Sequence, residues 1–258
     1  MALHSSRLRA GPPKVYRRAY KTYCPAMKCQ KIMADTPDTL FPLIRHLSLR
    51  LTQLLARLPF SANQITLASL AVGLGCAWAM TGEGRAMSIA GGVMLVLCYL
   101  LDNCDGEIAR LKDQNTAFGA FFDTFVDWIV HAAFFAALGM GVAVTRGNGL
   151  WLWLGWIAAV GSTINYTIVL VGDWRQQRVA KKEHDPAGRA AAEQPPRPEG
   201  WRQWAVYTFR ELFRADFCFI VLGLAFFDAV WMLLPLGAVG AQVFWAAQLI
   251  KGARDYHV

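Results

Sequence analysis

From residue 61 onward the chain is written as long apolar blocks separated by polar breaks. Six blocks run roughly Gln64 to Met80, Met87 to Leu111, Ala117 to Val144, Leu150 to Val171, Phe213 to Phe227 and Ala229 to Ile250. A helix needs about 20 residues to cross a bilayer core, so each block predicts a spanning helix, the fifth a little short unless its ends extend. The breaks Thr81 to Ala86, Thr145 to Gly149 and around Asp228 are too short to be domains, and Lys112 to Thr116 predicts a tight turn. The fourth break, Gly172 to Leu212, is long. Its middle, Ala187 to Gly200, is rich in Ala, Pro and charge, a composition that does not pack. Trp201, Trp204, Tyr207 and Leu212 then share one helical face and predict an interfacial stretch.

The residues before the first block follow a different pattern. Leu40, Leu43, Ile44, Leu47, Leu51, Leu54, Leu55 and Leu58 recur at helical spacing, with Arg45, Arg50 and Arg57 among them. That pattern predicts an amphipathic helix lying in the headgroup plane, its arginines reaching anionic phosphates. The expected fold is an all-α membrane protein with six transmembrane helices preceded by an amphipathic interfacial helix. It divides into a basic cytosolic tail (1–37), the interfacial helix (38–60) and a six-helix membrane domain (61–254) with a cytosolic link at 172–212.

Composition agrees. The chain of 258 residues is 55% hydrophobic and only 17% charged, against about a quarter charged in soluble domains. The formal net charge of +8 would raise nucleic-acid binding, but the placement of the basic residues reads otherwise. Eleven lie before Asn63, nine between Arg175 and Arg214, and Arg110, Lys112, Lys251 and Arg254 share that side. Only Arg85 and Arg146 of the 26 fall opposite. This bias follows the positive-inside rule and puts both termini and the Lys112 turn in the cytosol. The partners it implies are membrane lipids, with no nucleic acid. Cys76, Cys98, Cys104 and Cys218 sit in apolar runs as small hydrophobes, and Cys24 with Cys29 is a lone pair that does not make a zinc site.

Four acids violate the apolar pattern: Asp102 and Asp105 in the second block, Asp123 and Asp127 in the third. A charge at a helix centre costs roughly 2.5–3.5 kcal/mol on insertion scales, and like charges add repulsion. Spacings of three and four put each pair on one helical face. Folding the two helices antiparallel about the Lys112 to Thr116 turn pairs 102 with 127 and 105 with 123, at roughly 12–20 Å from the turn. Gly106 and Gly119 remove side-chain bulk just beside them. Hard oxygen donors at one level suit Mg²⁺ or Mn²⁺, and two ions would balance the charge and suit displacement at phosphorus. The competing readings are charge pairing with Arg110, Lys112 or Arg214, and an ion relay in a transporter. The latter predicts inverted repeats, and the halves show no self-similarity.

Asp102-x2-Asp105-Gly106-x2-Ala109-Arg110-x8-Gly119-x3-Asp123-x3-Asp127 resembles the CDP-alcohol phosphotransferase signature at all eight fixed positions. The broader likeness covers Thr39 to Ile250. It implies that Asp102, Asp105, Asp123 and Asp127 ligate two ions, with Asp127 also the general base toward an acceptor hydroxyl. It implies that Gly106, Ala109 and Gly119 admit the cytidine and that Arg110 contacts phosphate. Asn63 and Thr66 resemble nucleotide contacts, the alternative being helix capping by Ser61 or Asn63.

By the same resemblance Arg210, Arg214 and Lys251 would hold a phosphorylated acceptor. Snorkelling to headgroups serves as well for Lys251 and Arg254, and Arg214 beside Asp216 reads equally as a local pair. His131, one turn past Asp127, either orients that carboxylate or packs the helix. The implied reaction moves a substituted phosphate from CDP-diacylglycerol or a CDP-alcohol to a hydroxyl and releases CMP. The implied setting is phospholipid synthesis in a bacterial or archaeal inner membrane, with a CDP-inositol-dependent phosphodiester synthase as the alternative. A homodimer is expected by analogy.

Overall fold

The computed structural model describes residues 42–182 and 216–254, and every regular element there is helical. The helices are α1 (Leu43–Leu55), α2 (Ala62–Met80), α3 (Arg85–Leu111), α4 (Ala117–Arg146), α5 (Leu150–Lys182), α6 (Phe217–Phe226) and α7 (Leu233–Arg254). The tail 1–37, the Trp201 to Leu212 stretch and most of the 172–212 link lie outside the described residues.

Local chemistry sets the boundaries. Ser61 and Gln64 form a reciprocal capping box that starts α2. Gly84 (φ 87°) precedes α3, and Gly147 (φ 63°) ends α4 in the left-handed conformation. Thr116 caps α4 by accepting from the Gly119 amide at 2.9 Å. The expected second break, Lys112 to Thr116, is therefore a real turn, closed by Gln114 N–H to Ala109 O at 2.8 Å. Two boundaries move. α5 runs past Val171 to Lys182, because no proline interrupts that polar continuation. The last block opens as a 3₁₀ turn, Val230–Met232, after Asp228 (φ 54°), so α7 starts only at Leu233.

Three helices, Arg85–Leu111, Ala117–Arg146 and Leu150–Gly172, are long and apolar enough to cross a membrane, while Phe217–Phe226 and Val230–Ala246 are apolar but shorter. No more than a third of each long window is buried within the protein. Trp78, Val144, Trp153, Val160, Val239 and Val243 all point outward. So much uncovered apolar surface needs lipid around it.

α2 is the hub, packing against both α3 and α4; α4 then packs on α5, α5 on α7, and α3 on α6 and α1. The two aspartate helices are not a tightly packed pair. The hairpin expected from sequence opens around α2, leaving a space between α3 and α4. Elsewhere contacts are close. Gly139 and Gly155 bring α4 and α5 together so tightly that a Cβ on Gly155 would meet the Phe135 carbonyl oxygen. Gly155→Ala is expected to cost about 1–3 kcal/mol through overpacking against backbone that cannot move aside. A thermal melt in detergent checks this.

α1 packs one face on the bundle. Its buried face is Ile44, Ser48, Leu49 and Thr52, while Leu47 and Leu54 are exposed. Polar contacts fasten it to the bundle. Asp216, fully buried at the head of α6, accepts from the Leu43 and Ile44 amides at 2.9 and 3.0 Å. Pro42 offers no side-chain cap, so Asp216 supplies it from across the fold. Both of its oxygens thereby accept from α1; Arg214, its expected local partner, lies outside the described residues. Asp216→Ala is expected to cost roughly 1–3 kcal/mol by orphaning two amides and to speed tryptic cleavage at Arg45 and Arg50. Unchanged cleavage would show that α1 is held by other contacts.

Candidate active site

The site forms where α3 and α4 diverge beside the N-terminal end of α2. One carboxylate oxygen each from Asp102, Asp105 and Asp123 lie within 4.8 Å of one another. The symmetry read from the chain thus brings three of the four acids together across the gap. Asp105 is buried, and its Oδ2 accepts from Thr66 Oγ1 at 2.5 Å. Asp102 and Asp123 are partly buried, and Asp102 Oδ1 is enclosed with no hydrogen-bond partner. Asp127 is not one of these three, but it lies next to them as the nearest charged neighbour of Asp102.

This arrangement fits a divalent cation. Three acidic oxygens converge, none is matched by an Arg or Lys ion pair among the described residues, and one points at nothing. A buried group in that state carries a desolvation cost with no return. The donors are all hard oxygen, the kind a hard divalent cation takes.

Beside the acids lies a cavity of about 210 Å³ lined by Ala62, Asn63, Thr66, Asp105, Gly106, Ala109, Arg110, Gln114, Asn115, Thr116, Gly119, Ala120 and Asp123. All six residues expected to contact nucleotide line it. Ser61 does the capping of α2, which frees Asn63 to face the cavity. A Cβ on Gly119 would sit 3.4 Å from Asn63 Oδ1, and one on Gly106 would sit 3.5 Å from the Arg110 guanidinium. Both glycines border the cavity. Ala62 N–H donates to Gln114 Oε1 at 2.9 Å, tying the turn to α2.

His131 does not hold the Asp127 carboxylate. Its Nδ1 lies 2.8 Å from the Asp127 backbone carbonyl, which can only accept, so that nitrogen carries the proton. In the neutral ring Nε2 then accepts from the Tyr99 hydroxyl at 2.9 Å. The packing role is the observed one, leaving the Asp127 side chain unrestrained by His131. Of the acceptor residues, Arg210 and Arg214 lie outside the described residues. Lys251 is on the last turn of α7, and its side chain is likewise outside them.

Sequence reasoning missed two contributors. Gln114 and Asn115, in the turn, line the cavity. Their signal was available as amides between two aspartate-bearing blocks.

Fold and site together define a helical membrane protein with an acidic, metal-suited centre inside its spanning helices. The family model described as CDP-alcohol phosphatidyltransferase matches residues 60–192, just over half of the chain, and the chain belongs to that family. It is similar to a protein of Aquifex aeolicus named bifunctional IPC transferase and DIPP synthase, 31% identical over 100 residues, which cover 39% of this chain and 21% of that one. A protein of the same name from Rubrobacter xylanophilus is 33% identical over 84 residues, covering 32% of this chain and 18% of the relative. The match therefore spans about a fifth of the length of these relatives.

Proposed function

We propose that the protein transfers a substituted phosphate group from a CDP-linked donor to an acceptor hydroxyl, releasing CMP. The observation that carries this reading is the carboxylate trio set directly beside the glycine-lined cavity, with Asp127 next to Asp102 but outside the trio.

Asp102, Asp105 and Asp123 would hold a divalent cation, with Asp127 at a second. Bound there, such ions would supply charge neutralisation to the pyrophosphate and lower the pKa of a nearby hydroxyl. The remaining work belongs to the chain. Thr66 donates to Asp105 and fixes its carboxylate. Asn63, Gly106, Ala109 and Gly119 shape the cytidine site. Arg110 offers a fork of N–H donors to the phosphates. Asp127 takes the proton of the acceptor hydroxyl as its oxygen attacks the β-phosphorus. The bond from that phosphorus to the CMP oxygen breaks, and CMP leaves with the electron pair.

The basic residues support an arrangement of six spans with both termini and the cavity on the cytosolic side. Lys112 donates to the Leu58 and Phe60 carbonyls at 2.8 and 2.7 Å, at the cavity end of the bundle. At the other end Arg85 donates to the Phe226 carbonyl, and Arg146 stacks 4.2 Å from Trp231. A homodimer and a phosphorylated acceptor held by Arg210, Arg214 and Lys251 belong to the same proposal.

Two donors fit. CDP-diacylglycerol would make a phospholipid. A CDP-inositol-linked donor is favoured by the names of the relatives, IPC transferase and DIPP synthase. The test supplies each donor to the purified protein in vesicles with Mg²⁺ and a panel of alcohols and phosphorylated alcohols, and identifies products by mass. A product carrying acyl chains from the donor supports the first reading. An inositol phosphodiester from CDP-inositol supports the second.

A further inference from the structure

The seam between α1 and α3 contains a charge that the proposed reaction does not use. Glu107 is 3% exposed. Its Oε1 lies 2.9 Å from Ser48 Oγ, and its Oε2 is enclosed with no partner. Ser48 Oγ also lies 3.1 Å from the Arg45 carbonyl. A hydroxyl has one proton, so the carboxylate receives at most a shared hydrogen bond. No Arg or Lys among the described residues forms an ion pair with it. A sealed carboxylate in that state has lost its hydration without a compensating partner.

One turn along α1 a second oxygen is orphaned. Thr124, Thr145, Thr163 and Thr167 each donate to the carbonyl four residues back in their own helix. Thr52, 2% exposed, does not; its hydroxyl faces the Cys104 thiol and has no oxygen or nitrogen partner. The carbonyl it would use, that of Ser48, lies 3.5 Å from the Cys104 thiol on α3 instead. The same seam thus holds one negative charge, two buried hydroxyls and two unpartnered oxygens.

We infer that Glu107, Ser48 and Thr52 form a binding site for a monovalent alkali cation between α1 and α3. A single positive charge balances the one carboxylate, and the donors are hard oxygens. Mg²⁺ keeps several waters and demands near-octahedral geometry, which three side chains in a closed seam do not provide. The site is separate from the aspartate trio, because Asp105 turns to Thr66 on α2 whereas Glu107 turns to α1. Its occupant would lock α1 to the helix that carries Asp102 and Asp105.

The test is thermal unfolding of the full chain in detergent micelles, at fixed Mg²⁺ and constant ionic strength, in NaCl, KCl or choline chloride. The expected result is a saturable rise in Tm with sodium or potassium over choline. Glu107→Gln should abolish that response and melt no lower than wild type in choline. Thr52→Val should need more of the same cation for the same rise. Equal melting of wild type in all three salts, as a structural water would give, overturns the proposal. So does a Glu107→Gln protein that still responds. Should Glu107→Gln fail to fold, Thr52→Val decides: a cation response identical to wild type counts against the site. The readout needs no donor, so the outcome stands apart from the transfer reaction.

Discussion

Asp127→Asn is expected to lower CMP release by about 10²–10⁴-fold, the usual contribution of a positioned general base. The variant keeps the size of the side chain and removes its capacity to take a proton. Among the four acids Asp127 stands outside the trio, which leaves its carboxylate for an acceptor hydroxyl. Its turn of helix stays fixed through the Asp127 carbonyl, His131 and Tyr99 contacts, which the substitution leaves intact. Folding and CDP binding should therefore survive while turnover is lost. A parallel loss of nucleotide affinity would instead place Asp127 mainly among the ligands.

Asp102→Asn should have an effect of similar size for a different reason. Its Oδ1 is buried without a partner, in a cluster where Asp105 and Asp123 also present oxygens. Without a divalent cation these carboxylates repel, and removing one relieves the repulsion. The variant should accordingly melt higher than wild type in EDTA. With Mg²⁺ the order should reverse, because wild type gains binding energy that the variant has lost. Activity in wild type should vanish with chelation and return with Mg²⁺ or Mn²⁺. A variant that gains as much stability from Mg²⁺ as wild type does would remove Asp102 from the metal site.

The four aspartates were legible because charge in an apolar block is conspicuous, and because helical spacing turns sequence distance into geometry. The convergence of Asp102, Asp105 and Asp123 and the openness at Gly106 and Gly119 follow from that spacing. What spacing could not show is that α2 intervenes. Nothing in the local pattern of Ala62 to Met80 says that it packs on both aspartate helices and sends Thr66 to Asp105. The inner face of α1 was hidden for a related reason. Its leucines and arginines satisfy a lipid-surface pattern, yet Ser48 and Thr52 lie on its buried face because Cys104 and Glu107 of α3 meet them there. Asp216 shows the same limit. A residue next to Arg214 in the chain finds its partners 172 and 173 positions away, at the start of α1.

The most direct measurement is CMP formation over time by the purified chain in vesicles, wild type beside Asp127→Asn. CDP-diacylglycerol and CDP-inositol serve as donors with acceptor alcohols, with and without Mg²⁺. Wild type should release one CMP for each phosphodiester formed, only with the divalent cation, and Asp127→Asn should release almost none. No CMP from either donor under any condition, or release by Asp127→Asn at the wild-type rate, would contradict the proposed transfer.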